Sequence, residues 1–227
     1  AIPIIIAQSS QGMMGLVDTA IVARAGTASL SAVALSSVLL FVLSSFGGGM
    51  ITGLDPMVSQ SMGAGNEQRA RVLLWQGSYL AIIAGVVLAV PALVVPRLLP
   101  HFGLELVEQP LMEDYLTWRA PGLPLLLLFG TVRAYVQSIE RPAVLIVSSL
   151  IANVFNFASD LLLVLGGADL PAFFGPLREV PALGVKGAAI TTTLCSLLQW
   201  CIVARYVKKR VPVPGGGHKP EQATGTR

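Results

Sequence analysis

Long apolar runs dominate this chain, and their lengths set the fold class before any single residue does. A run of about 20 apolar residues crosses a bilayer as a helix. Six such spans are predicted, at about 2–23, 30–62, 72–95, 115–137, 143–165 and 184–206. The second is unusually long and holds Gly47, Gly48, Gly49, Gly53 and Pro56. Pro56 lacks a backbone donor and is expected to kink it. Pro121 and Pro124 are expected to distort the start of the fourth span in the same way. Helices satisfy their own backbone groups in lipid, so the pattern predicts an all-α integral membrane protein with six transmembrane helices. Short alternating strands, the mark of an outer-membrane barrel, are missing from the pattern. Residues 208–227 are polar and rich in Pro and Gly, and read as a cytosolic linker or tail after a lobe at 1–207.

Polar residues interrupt these runs at helical spacing. In the fifth span Ser149, Asn153, Asn156 and Asp160 recur at steps of four, three and four, which places them on one helix face. A carboxylate near the middle of a spanning helix costs about 2.5–3.5 kcal/mol on insertion scales. The first span carries a similar stripe, Gln8, Gln11, Gly15 and Asp18. Asp18 lies six residues from Arg24, Asp160 six from Gly166, and Thr192 six from Lys186. At about 1.5 Å per residue each is roughly 9 Å below the outer end of its helix. Two carboxylates, the hydroxyl and Asn156 one turn deeper form an all-oxygen set, suited to a hard cation or a shared proton. Interhelical hydrogen bonding alone would account for Gln8, Gln11, Ser149 and Asn153, but it does not require an ionisable group. Asp55, in the inner half of the second span, is expected to face entering water or to mark a helix end.

Composition agrees. The chain is 54% hydrophobic and 12% charged, with a mean hydropathy of +0.73, against about 25% charged in soluble domains. The net charge of +3 is too small and dispersed to suggest nucleic acid. Arg69, Arg71, Arg133, Arg141, Arg205 and Lys208–Arg210 gather at one set of helix ends; Arg24, Arg97, Arg119, Arg178 and Lys186 form the smaller opposite set. The richer side is expected to be cytosolic. That makes a multi-pass protein of the cell (inner) membrane with both ends of this segment inside. Cys195 and Cys201 are six apart in one helix, roughly 9 Å of rise, too far for a disulfide. A Gly-rich phosphate loop, a zinc-ligand cluster and a nucleophile elbow are all lacking, so neither an enzyme nor a cofactor is expected.

Four segments resemble multidrug and toxic compound extrusion (MATE) transporters. GLVDTAIVARAG (15–26) resembles their first helix, and GLDPMVSQSMGAGN (53–66) the end of the second. NVFNFASDLLLVLG (153–166) resembles the fifth and GVKGAAITT (184–192) the start of the sixth. The resemblance implies a secondary antiporter that exports hydrophobic, often cationic drugs and toxins against inward Na⁺ or H⁺ by alternating access. It implies a cation site at Asp18, Asn156, Asp160 and Thr192, with Gln8, Gln11, Asn153 and Asp55 available to substrate or to support those four. Family members have twelve helices in two lobes, so this chain is expected to be the N-terminal lobe. The C-terminal lobe is expected in the same or another chain, and the start at Ala1, already inside an apolar run, is expected to be a truncation.

Other classes fit less well. A lipid-linked oligosaccharide flippase of the same superfamily lines its cavity with several basic residues, whereas here only Arg119 and Arg133 lie near spans, both towards ends. An intramembrane aspartyl protease places one aspartate after Gly-x-Gly and the other after tyrosine, but Asp160 follows Phe-Ala-Ser and Asp18 follows Gly-Leu-Val. A non-transporting lobe that only binds cation is a third alternative.

Overall fold

The computed structural model describes residues 15–102, 107–167 and 178–210. Helix α1 is described over residues 15–24; Pro3, Gln8 and Gln11, with most of the first predicted span, lie outside the described residues. Then follow α2 (Thr27–Thr52), α3 (Leu54–Gly63), α4 (Glu67–Leu98), a 3₁₀ turn (Leu99–Phe102), α5 (Gln109–Arg119), α6 (Gly122–Ser138), α7 (Ala143–Leu165) and α8 (Val185–Arg210). Among the described residues, four stretches are long and apolar enough to span a membrane: Thr27–Gly63, Glu67–His101, Ala143–Leu165 and Val185–Lys209.

Two predicted spans are broken rather than continuous. The second divides at Gly53 into α2 and α3. A proline ring clashes with the carbonyl four residues before it, and for Pro56 that residue is Thr52, where α2 ends. The fourth divides between Arg119 and Gly122, with Pro121 as the N-cap of α6. Helix α8 runs on to Arg210, so residues 208–210, expected in the tail, are helical. The segment between the third and fourth predicted spans contains the 3₁₀ turn and the first half of α5.

On α7 the polar positions turn inward and the large apolar ones outward. The buried positions of α7 include Ser148, Ser149, Ala152, Asn156 and Asp160, while Val147, Leu150, Val154 and Phe157 face outward. Large apolar side chains such as Phe41, Phe46, Ile83 and Val87 likewise project from α2 and α4, as hydrocarbon surroundings favour. Three apolar clusters stack along the bundle. One, including Val22, Val33, Tyr115, Leu123, Val164 and Ala189, joins the outer ends of the helices. A middle one holds Ile51, Ala81, Ala84, Leu127 and Leu128, and an inner one holds Val58, Leu73, Phe129, Val136 and Val203.

Close helix contact depends on glycine. A Cβ at Gly187 of α8 would run into the Leu163 carbonyl of α7, and a Cβ at Gly85 of α4 would meet the Pro124 backbone of α6. The chain leaving α7 also ties the two helices together. Gly166 ends α7 at φ 86, and the returning segment donates from Leu183 N to Leu163 O at 2.8 Å and from Gly184 N to Val164 O at 3.2 Å. The last carbonyls of α7 are thereby satisfied, and the register of α8 against α7 is fixed. Gly187→Val should destabilise the chain by about 2 kcal/mol through overpacking against backbone. Gly48→Ala, where a Cβ meets nothing within 4 Å, should stay within about 0.5 kcal/mol. Thermal unfolding in detergent measures both.

Candidate functional site

The fixed contact between α7 and α8 aims a run of hydroxyls. Residues 191–193 are all threonine, and successive helical positions turn by about 100°, so the three side chains fan out to three neighbours. Thr191, fully buried, faces Asp160 of α7. Thr192 places its Oγ1 3.2 Å from Asp18 Oδ2 of α1. Thr193 donates to the Trp118 carbonyl of α5 at 2.9 Å. One helix thus contacts three others at a single level.

Asp160 is 0% exposed and Asn156 1%. The Asp160 carboxyl lies beside Asp18, Thr191 and Asn156, so the structure brings Asp18, Asn156, Asp160 and Thr192 together, with Thr191 added. The polar atoms are incompletely satisfied. Both Asp160 oxygens, Asp18 Oδ1, Asn156 Nδ2 and Thr191 Oγ1 are buried without a hydrogen-bond partner. Thr192 Oγ1 also lies 2.8 Å from the Ala188 carbonyl. A hydroxyl has one proton, and two acceptors compete for it. The shorter contact holds the threonine rotamer, and Asp18 is left short of a donor. A buried carboxylate without donors is costly unless paired or coordinated. The donor set of carboxylate, amide and hydroxyl oxygens fits a hard monovalent cation or a proton. No group of three His, Cys, Asp or Glu suited to a metal ion occurs among the described residues.

Beside this cluster opens a cavity of about 240 Å³, lined by Asp18, Thr192, Ser37, Ser44, Tyr115 and Arg119 among others. Asp18 therefore belongs to both the carboxylate pair and the cavity wall. Tyr115 and Arg119 are brought there by the break between α5 and α6. Asn153 is half-buried on the same side of α7 as Asn156. Asp55 lies elsewhere, in the first turn of α3, with its Oδ2 3.9 Å from Arg133 of α6. It joins neither the carboxylate pair nor the cavity.

Thr191, Tyr115 and Arg119 were not singled out as site residues by the sequence. The three-threonine run was a readable signal, but which of the three faces which helix depends on how α8 is rotated against its neighbours.

Comparisons with known proteins follow this geometry. The MatE family model matches residues 3–162. A probable multidrug resistance protein NorM of Shewanella oneidensis is 28% identical over 229 residues, covering 99% of this chain and 48% of that protein. A second NorM, of Agrobacterium fabrum, is 31% identical over 92% of this chain and 43% of its own length. The chain spans about half the length of the curated relatives it matches. The structure is similar to an outward-facing multidrug resistance MATE family transporter of the MOP superfamily, with TM-score 0.77 and 19% identity over 92% of this chain and 44% of that one. It is also similar to an inward-facing conformation of such a transporter, with TM-score 0.71 and 17% identity over 89% and 45%. At these identities the structural likeness speaks for the fold, which is one lobe of the twelve-helix MATE architecture. With the family model covering most of its length, the chain belongs to the MatE family, the multidrug and toxic compound extrusion transporters.

Proposed function

We propose that this chain is the cation-binding lobe of a secondary antiporter, which exports drugs and other hydrophobic, often cationic compounds against an inward flux of Na⁺ or H⁺. The observation that carries the reading is the pairing of fully buried Asp160 with half-buried Asp18, brought together by α1, α7 and α8, with both Asp160 oxygens and Asp18 Oδ1 lacking a hydrogen-bond partner. A structural polar contact has no need of two carboxylates, whereas a site that takes up and releases a cation does. The NorM relatives, named for multidrug resistance, support drugs as the exported class.

In this reading the coupling ion enters from outside and binds at Asp18, Asn156, Asp160 and Thr192. Its charge neutralises the pair and changes how α1 packs against α7 and α8. Because Asp18 also lines the cavity, ion binding alters the charge that an exported compound meets. The cycle is alternating access, with the second lobe supplied by the same or another chain. The protein lies in the inner membrane with both ends of this segment cytosolic.

One observation favours the flippase reading in part: Arg119 lines the cavity, where the sequence placed it towards a helix end. A pyrophosphate group calls for several such cations, and among the described residues lining this cavity Arg119 is the only one. A lipid-flipping assay in proteoliposomes separates the two.

Two predictions follow from the cation reading. In a full-length transporter carrying these residues, Asp18→Asn and Asp160→Asn should each reduce ethidium efflux driven by an imposed Na⁺ or H⁺ gradient to the empty-vesicle level. Undiminished gradient-driven efflux in both variants removes the site assignment. Thr191→Val and Thr192→Val should each raise the half-saturating cation concentration for efflux about tenfold, as loss of a ligand-orienting contact does. Ser196→Ala, one turn deeper and bonded to the Thr192 carbonyl of its own helix at 3.0 Å, should leave that concentration within about twofold. The same titration of efflux against cation reads all three.

A further inference from the structure

The cavity beside Asp18 contains one charged group that the cation site does not use, Arg119. Its position is built rather than incidental. A Cβ at Gly122 would run into the Arg119 guanidinium, so a glycine one turn on provides its seat. The preceding carbonyl, Trp118 O, accepts from Thr193 of α8 at 2.9 Å, which fixes the end of α5 where Arg119 projects. The guanidinium Nη1 is buried without a hydrogen-bond partner, and so is Asp18 Oδ1. Arg119, Asp18 and Asp160 all lie within electrostatic reach of the Tyr115 hydroxyl and the Cys195 thiol. The three charges share one partly enclosed neighbourhood, with Arg119 and Asp18 both half-buried on the cavity wall.

The other cations of the packed elements are placed differently. Lys186 of α8 pairs with Asp114 at 3.2 Å and Arg97 of α4 with Glu113 at 3.7 Å. Arg24 is exposed at the end of α1, and Arg133 of α6 pairs with Asp55. Among the described residues lining the cavity, Arg119 is the only cation. Guanidinium keeps its charge under all physiological conditions, and two carboxylates in an apolar bundle need either a compensating charge or a proton whenever the coupling cation is away.

We propose that Arg119 is the resident counter-cation of the Asp18–Asp160 pair and competes with the coupling cation for it. This rests on the cation-site reading above. With both carboxylates ionised, the pair and one guanidinium leave the neighbourhood with a single uncompensated negative charge. That charge attracts a cationic compound into the cavity. A monovalent coupling cation cancels it, and the attraction is lost. Without Arg119, one bound cation would leave a negative charge behind and the compound would still be held. Arg119 thus sets the stoichiometry at which binding of one species excludes the other.

The test is equilibrium binding of ²²Na⁺ to a full-length transporter carrying these residues, purified into nanodiscs, with the variants Arg119→Gln, Arg119→Lys and Asp160→Asn. Arg119→Gln should bind Na⁺ at least about tenfold more tightly than the parent, the scale expected for removing a unit charge from a partly desolvated site. Arg119→Lys keeps the charge and should lie closer to the parent than to Arg119→Gln. Asp160→Asn should abolish binding. Where the parent binds too weakly to read, measurable binding gained by Arg119→Gln is the same result. Equal affinity of Arg119→Gln and the parent, or Na⁺ binding in neither, overturns the role of Arg119. Binding that survives Asp160→Asn overturns the cation site itself, which keeps the two failures apart. A misfolded variant would lose affinity, so the expected gain cannot come from damage.

Discussion

Burying carboxylate in an apolar bundle is the constraint on which the rest of this structure depends. Asp160 is fully enclosed, and hydrocarbon offers it no donor, so α7 must turn this residue towards protein. The same helix face then has to carry Asn156, Ser149 and small residues, because bulky side chains would keep α8 too far away for its threonines to reach. Gly187 removes the Cβ that would strike the Leu163 carbonyl. The Leu183 and Gly184 amides close the end of α7 and fix where α8 begins. Given that start, the threonine run arrives at the level of Asp160 and Asp18. Packing and chemistry are one requirement here: the glycine that permits contact and the hydroxyls that use it lie on the same two turns of α8.

The helix breaks serve the site from the other side. A continuous fourth span would carry Tyr115 and Arg119 past the bundle as part of a straight rod. The interruption after Arg119, with Pro121 as the cap of α6, lets α5 pack separately against α2 and α8. Tyr115 then enters the outer apolar cluster and Arg119 reaches the cavity. At the opposite end the break at Gly53 places Asp55 near Arg133. A lone charge in a span is costly, and the pairing offsets part of that cost without involving the outer pair.

Much of this was legible in the sequence because some quantities along a helix are nearly fixed. Rise per residue varies little, so counting from Arg24, Gly166 and Lys186 put Asp18, Asp160 and Thr192 at a common depth, and all three meet. The spacing of Ser149, Asn153, Asn156 and Asp160 assigned them to one face; Ser149, Asn156 and Asp160 are buried and Asn153 is half-buried. Rotation of one helix about its axis relative to another is not fixed by counting. It decided that Thr191 as well as Thr192 faces a carboxylate, and it follows from Gly187 and the capped end of α7, which are tertiary facts. Arg119 was read as an end charge from its place at the start of the fourth span; that it lines the cavity follows from where α5 packs. Pro121 signalled a distortion, yet where the freed segment packs depends on α2 and α8. Pro56 shows the limit in small: the kink was expected at the proline, while the helix ends at Thr52, where the ring's clash falls.

The residues of the pair and of the cavity come from α1, α2, α5, α6, α7 and α8, all within this chain, and Asp18 is shared by both. Its Oδ2 lies at the Thr192 hydroxyl, while the residue also lines the cavity. Any charge that settles on the pair therefore changes the potential in the cavity directly, with no need for a relay through distant packing. Separate sites in different lobes would need a conformational signal to inform one another. Here a shared carboxylate does so by Coulomb's law in a medium that screens poorly. In the proposed antiport cycle, the larger movements would then have only to act on an exclusion produced by this local electrostatics.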